Sequence, residues 1–120
     1  IIRNLKQGKV VWYAPDQDFG RERSVFAPFF GVPTATLNST ARMARLSKAP
    51  LVPYTSERLD DGSFVIRLQP ALENFPSGDD LADASRTNQI IEQQVRRVPE
   101  QYLWVHKRFK TRPEGEDGFY

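Results

Sequence analysis

The sequence predicts an α/β fold: a mixed, mainly parallel sheet flanked by helices, with an antiparallel hairpin and two C-terminal helices, in one domain over residues 1–120. Three observations predict it. The run Val10-Val11-Trp12-Tyr13-Ala14 is β-branched and aromatic and is bounded by Gly8 and Pro15, which marks a buried strand. A small-residue helix separates it from a second apolar run, Leu51-Val52-Pro53-Tyr54, and the order strand, helix, strand favours a parallel pair. Two alternating runs flank Asp60-Asp61-Gly62-Ser63, and an Asp-Gly turn in that setting marks a hairpin.

The elements follow in order. Residues Ile1 to Gln7 read as the last turns of a helix stopped by Gly8. After the strand, Pro15 to Gly20 is a polar loop at its C-terminal end, the edge where open α/β sheets bind ligands. Arg21 to Pro33 carries Phe26, Phe29 and Phe30 without a period and reads as a structured loop with a short extended piece. Thr36 to Ser47 is a helix that turns Leu37, Ala41, Ala44 and Met43 toward the sheet. Pro50 to Leu59 and Phe64 to Gln69 form the hairpin. Asp79 or Asp80 caps a long helix to about Val98, with Leu81, Ala84, Ile91, Val95 and Val98 at helical spacing. Pro99 opens a second helix whose buried face is Leu103, Trp104 and Phe109, and the tail from Thr111 to Tyr120 hugs the surface or frays.

Composition limits the chemistry. The chain has no cysteine and one histidine, so disulfides, thiolate nucleophiles and the common zinc sites are excluded, and neither a metal nor a cofactor is expected. A net charge of +2 argues against a nucleic-acid role. Charge is uneven, however. Arg96, Arg97, Lys107, Arg108, Lys110 and Arg112 crowd the C-terminal end with Glu100 as the only acid among them. Such an end suits an acidic partner: phosphate groups, an anionic membrane surface or an acidic protein.

Phosphate-loop, nucleophile-elbow and zinc-helix motifs are absent. His106 has no carboxylate at helical spacing after it and reads as a partly exposed helix residue among cations. Asp16 and Asp18, directly after a buried strand, could orient a base, bind a cation or accept substrate hydroxyls; equally, they could form an Asx turn that ends the strand. Arg42 and Arg45, three apart on a helix, either neutralise phosphates or make a solvated face.

Several stretches together resemble the lauroyl/myristoyl-type lipid A biosynthesis acyltransferases. They are Val11-Trp12-Tyr13-Ala14-Pro15-Asp16-Gln17-Asp18-Phe19-Gly20, then Ser24-Val25-Phe26-Ala27-Pro28-Phe29-Phe30-Gly31, Ala41-Arg42-Met43-Ala44-Arg45-Leu46 and Leu51-Val52-Pro53. The longest is Pro99-Glu100-Gln101-Tyr102-Leu103-Trp104-Val105-His106-Lys107-Arg108-Phe109-Lys110-Thr111-Arg112. The resemblance implies the C-terminal portion of a single glycerolipid-acyltransferase-like domain. It implies acyl carrier protein as donor, a hydroxyl of a lipid A precursor as acceptor, and the cytoplasmic face of a Gram-negative inner membrane, with any anchor upstream. The family's catalytic histidine, in an H-x-x-x-x-D/E motif, would lie ahead of Ile1. No catalytic residue is therefore expected in this chain, which alone is expected to be inactive. The resemblance makes Asp16, Asp18, Arg21, Arg23, Arg42 and Arg45 expected substrate contacts. Trp104, Lys107, Arg108, Lys110 and Arg112 are expected to meet a partner or the membrane. The other reading is a non-catalytic module that docks acyl carrier protein or anionic membrane through its basic end.

Overall fold

Positive φ at two successive residues, Phe30 (51°) and Gly31 (77°), folds residues 24–37 back on themselves. A two-residue loop with both φ angles positive matches the twist of the strands it joins, so an antiparallel hairpin follows. In the computed structural model, which describes Ile1–Tyr120, its strands are β1 (Ser24–Phe29) and β2 (Val32–Leu37), with Phe29 opposite Val32 and Pro28 opposite Pro33. Counting from the turn, the two prolines share a position that needs no ladder donor, so their missing N–H groups cost nothing.

The chain has three helices, α1 (Ile2–Lys6), α2 (Ser39–Ser47) and α3 (Asp80–Arg97); α3 packs on this hairpin, and α2 packs on α1 and α3. Asp79 caps α3 by accepting from the N–H groups of Leu81 and Ala82 (2.9 and 3.0 Å). The helix lies across β1 and sends polar side chains into the contact. Asn88 donates to Pro28 O and to Thr36 Oγ1, both at 3.0 Å, and Glu92 accepts from Phe30 N–H at 2.8 Å. Around them sit buried Ala27, Phe29, Ala35, Ala84 and Val95. Phe29 is fully buried, with Phe30, Tyr102 and Phe109 rings at 4.8, 6.0 and 5.9 Å, a burial that contributes about 2–3 kcal/mol.

The second hairpin is β3 (Tyr54–Arg58) with β4 (Phe64–Leu68), as the Asp-Gly turn predicts. Asp61 accepts from Ser63 Oγ and N–H at 2.6 and 2.9 Å, which holds its carboxyl below the usual carboxylate range.

The predicted mainly parallel sheet is not there. The strands form two separate antiparallel pairs, each joined by a tight turn, and no crossover brings two strands parallel. Val10–Ala14 has no strand beside it and stays irregular; Val10 is 98% exposed and Trp12 71%. An unpaired strand leaves its backbone groups without ladder partners, so β-branching alone does not order it. Residues 24–37, read as loop and helix start, are instead the central hairpin; Thr36 and Leu37 end β2, and α2 begins at Ser39. Pro53 delays β3 to Tyr54. The predicted second C-terminal helix is two short 3₁₀ turns, Pro99–Gln101 and Trp104–His106. Lys107 (φ 47°) is left-handed and turns the chain there, which swings Arg108 inward. Both tryptophans are exposed, not core. No helix is long and apolar enough to cross a membrane.

Asp79→Ala is expected to lower the unfolding free energy of the intact protein by about 1 kcal/mol, read from urea denaturation.

Candidate functional site

The Pro15–Gly20 loop is fastened at both ends. Before it, the Tyr13 hydroxyl and Ser39 Oγ lie 2.7 Å apart, tying the irregular segment to the start of α2. Within it, Asp18 is 6% exposed and its carboxylate is fully engaged. Oδ1 accepts from Gly20 N–H and Thr111 Oγ1, and Oδ2 from Thr111 N–H, all at 2.9 Å. The Asx turn that the sequence allows therefore exists, but Asp18 makes it, not Asp16. Asp18 joins residue 18 to residue 111 and leaves Asp16 half-buried next to the C-terminal segment.

Beneath the loop lies Arg108, 1% exposed. Its guanidinium donates to Ala35 O (2.6 Å), Thr36 Oγ1 (2.9 Å) and Asn88 Oδ1 (3.3 Å), and stands 5.2 Å from the centre of the Phe29 ring. Burial pulls its ionisation below the usual arginine range, while Tyr102, Asp16 and Asp18 act the other way. Burial pushes the Tyr102 phenol well above its usual range, and the nearby Asp16 carboxylate adds to the effect. Tyr102 is therefore neutral at physiological pH, with its hydroxyl buried.

Above the loop is an open cleft of about 540 Å³ lined by Gln17, Asp18, Phe19, Gly20, His106 and Lys110. With the Asp18 carboxylate held by Gly20 and Thr111, the polar side chains left to act on a ligand are the Gln17 amide, the His106 imidazole and the Lys110 ammonium. Their chemistry suits an anionic or hydroxyl-bearing group. Sequence reasoning sets His106 aside and does not single out Tyr102 or Thr111. All three lie in the 99–112 stretch, whose length was the available signal.

The other expected contacts are scattered. Arg21 and Arg23 are exposed on a 3₁₀ turn just after the loop. Arg42 and Arg45 are exposed on α2, away from its buried Thr40, Ala41 and Ala44. The basic end divides in two. Trp104, Lys107 and Lys110 are exposed, whereas Arg108 is inside the molecule. Arg112 bonds Pro33 O and Glu116 and stacks on Phe119. No three acidic, histidine or cysteine side chains come together as a metal would need.

The family described as bacterial lipid A biosynthesis acyltransferase matches residues 1–111. The chain is 48% identical over its full length to a lipid A biosynthesis palmitoleoyltransferase of Escherichia coli K12. It is 43% identical, again over its full length, to the lauroyltransferase of that strain, and 36% identical over 97% of its length to the myristoyltransferase. It covers 40%, 40% and 36% of those proteins, so it spans about two fifths of the relatives it matches.

Arg108→Ala strands three acceptors and opens a cavity, and is expected to cost the intact protein about 3 kcal/mol. Lys107→Ala, one residue away and exposed, is expected to stay within about 0.5 kcal/mol. Chemical denaturation of the two variants tests the contrast.

Proposed function

Because the chain belongs to the bacterial lipid A biosynthesis acyltransferase family, we propose that it is the C-terminal portion of a single acyltransferase domain. In this reading the whole enzyme transfers a fatty acyl chain from acyl carrier protein to a hydroxyl of a lipid A precursor, at the cytoplasmic face of the inner membrane. The observation that carries the proposal is the match across residues 1–111, with 48% identity to a lipid A palmitoleoyltransferase over every residue of the chain.

The chemistry needs a base for the acceptor hydroxyl, stabilisation of the oxyanion formed at the thioester carbonyl, and a proton for the departing thiolate. We assign the base to a histidine of an H-x-x-x-x-D/E motif outside these residues. This chain then supplies the pocket wall. Asp18 is the anchor: its three hydrogen bonds fix the loop. Asp16, half-buried two residues earlier and not part of that anchor, is the carboxylate we place at the reacting end, accepting from a substrate hydroxyl or orienting the base. Arg21, Arg23, Arg42 and Arg45 are exposed cations suited to the phosphates of the precursor.

A second role at the same time, docking of an acidic carrier protein, falls to Lys107 and Lys110, with Trp104 beside them. The exposure of these residues, against the burial of Arg108, favours them as contacts.

In the full-length enzyme, Asp16→Ala is expected to lower turnover by about tenfold or more with little change in stability. A wild-type rate removes Asp16 from the site. Lys107→Glu combined with Lys110→Glu is expected to weaken carrier-protein binding and flatten its salt dependence; titrations in low and high salt that match wild type discard the docking role.

A further inference from the structure

The β3–β4 hairpin is built inside out. Tyr54, Phe64, Ile66 and Leu68 alternate onto one face, with Ser56 and Arg58 beside them, and are 43%, 66%, 59% and 70% exposed. The opposite face, turned toward α3, carries charge: Glu57 bonds Arg67 at 2.8 Å and Arg97 of α3 at 3.1 Å. Half-covered antiparallel sheets put apolar residues inward and polar ones outward, so this alternation makes sense only if the outer face is also covered.

The two edges of the hairpin differ in the same sense. Along β3, Gln101 donates to Arg58 O (2.8 Å) and accepts from Arg58 N–H (2.9 Å), while Gln94 donates to Ser56 O (3.2 Å). That edge is closed by side chains. The outer edge of β4 pairs with nothing. An unpaired edge with apolar side chains invites a partner chain.

The rest of the molecule is equally unfinished. Its extents are 43 × 42 × 21 Å, a slab, and its radius of gyration is 15.1 Å, against about 14 Å for a compact domain of this length. Only 17 of 120 residues are buried, too few for a closed core. The relatives offer what is missing, since this chain accounts for about two fifths of their length and aligns with their C-terminal part.

We propose that the Tyr54/Phe64/Ile66/Leu68 face and the open β4 edge are an intramolecular docking surface, covered in the full-length enzyme by the polypeptide that precedes these residues. A bilayer fits less well. Acyl chains cannot hydrogen-bond an open strand edge. The inference rests on packing and on the relatives' length, not on the proposed chemistry.

The test uses the full-length enzyme and reads no turnover. With Phe64→p-benzoylphenylalanine, photolysis is expected to give adducts within the same chain, mapped by mass spectrometry to peptides ahead of residue 1. Adducts to lipid or detergent overturn the proposal in favour of a membrane face, and adducts that double the chain's mass overturn it in favour of a second copy. Hydrogen exchange on the unsubstituted enzyme needs no variant: the amides of Phe64, Ile66 and Leu68, which point away from β3 in this register, are expected to exchange at least about a hundredfold slower than in the free peptide. Exchange at the free-peptide rate overturns the proposal whatever the photochemistry gives.

Discussion

The packing of this chain depends on one buried cation. Arg108 lies where β2, α3 and the C-terminal segment meet, and its fork of donors joins the segment to both of the others. It closes Ala35 O on the outer edge of β2, engages Thr36 on the same strand and Asn88 on α3, and covers the Phe29 ring. Burying a charge is expensive unless its donors are met and its field is balanced. Most donors are met here, though Nε is not. The carboxylates of Asp16 and Asp18 favour the charged form. A lysine could not substitute: one ammonium on a flexible stem does not bridge acceptors set out for a planar fork. The short Lys107 turn, and the end of helical structure after His106, follow from aiming this side chain inward.

Side chains closing strand edges is a theme of the whole fold. Two-stranded sheets are marginal alone because each strand leaves one row of backbone groups unpaired. In the first hairpin Asn88 takes Pro28 O, Arg108 takes Ala35 O and Arg112 takes Pro33 O. In the second, Gln94 and Gln101 serve β3. Helix α3 and the segment after it therefore act as a rack of donors and acceptors. This explains why the buried side of α3 includes Asn88; Asp83, also buried there, instead accepts from Ser77 N–H ahead of the helix, and Thr87 donates to Asp83 O.

Such polar burial sets what the sequence can and cannot disclose. The Asp-Gly hairpin, the Asp79 cap, the extent of α3 and the end of α1 at Gly8 were legible because each rests on local backbone chemistry. The first hairpin was not, because its turn is Phe30-Gly31 and its strands contain Pro28 and Pro33, residues that argue against strands unless their ladder positions are known. The parallel sheet was inferred from apolar runs, and such a run specifies a strand only when a neighbour exists to pair with it; Val10–Ala14 has none here. The basic C-terminal end was legible as a charge cluster but not as an arrangement. Nothing in the spacing of Lys107, Arg108, Lys110 and Arg112 separates the buried cation from the exposed ones. Only the tertiary position of the acceptors does that.

The same distinction governs the aspartate pair. Two carboxylates two residues apart invite a single role, as paired ligands or paired acids. Their surroundings separate them. Asp18, buried and holding two N–H groups and a hydroxyl, is committed to the loop, and its work is to bring residue 111 to residue 18. Asp16 inherits the position that this clamp creates: half-buried, near a neutral phenol and a buried guanidinium, on a loop that cannot drift. A carboxylate meant to act on a bound hydroxyl needs a fixed location, which shortens the search for the reactive geometry. The C-terminal stretch that carries Tyr102, Arg108 and Thr111 thus matters to the loop through three separate contacts. A functional reading that treated that stretch only as a basic surface would miss what it does to Asp16.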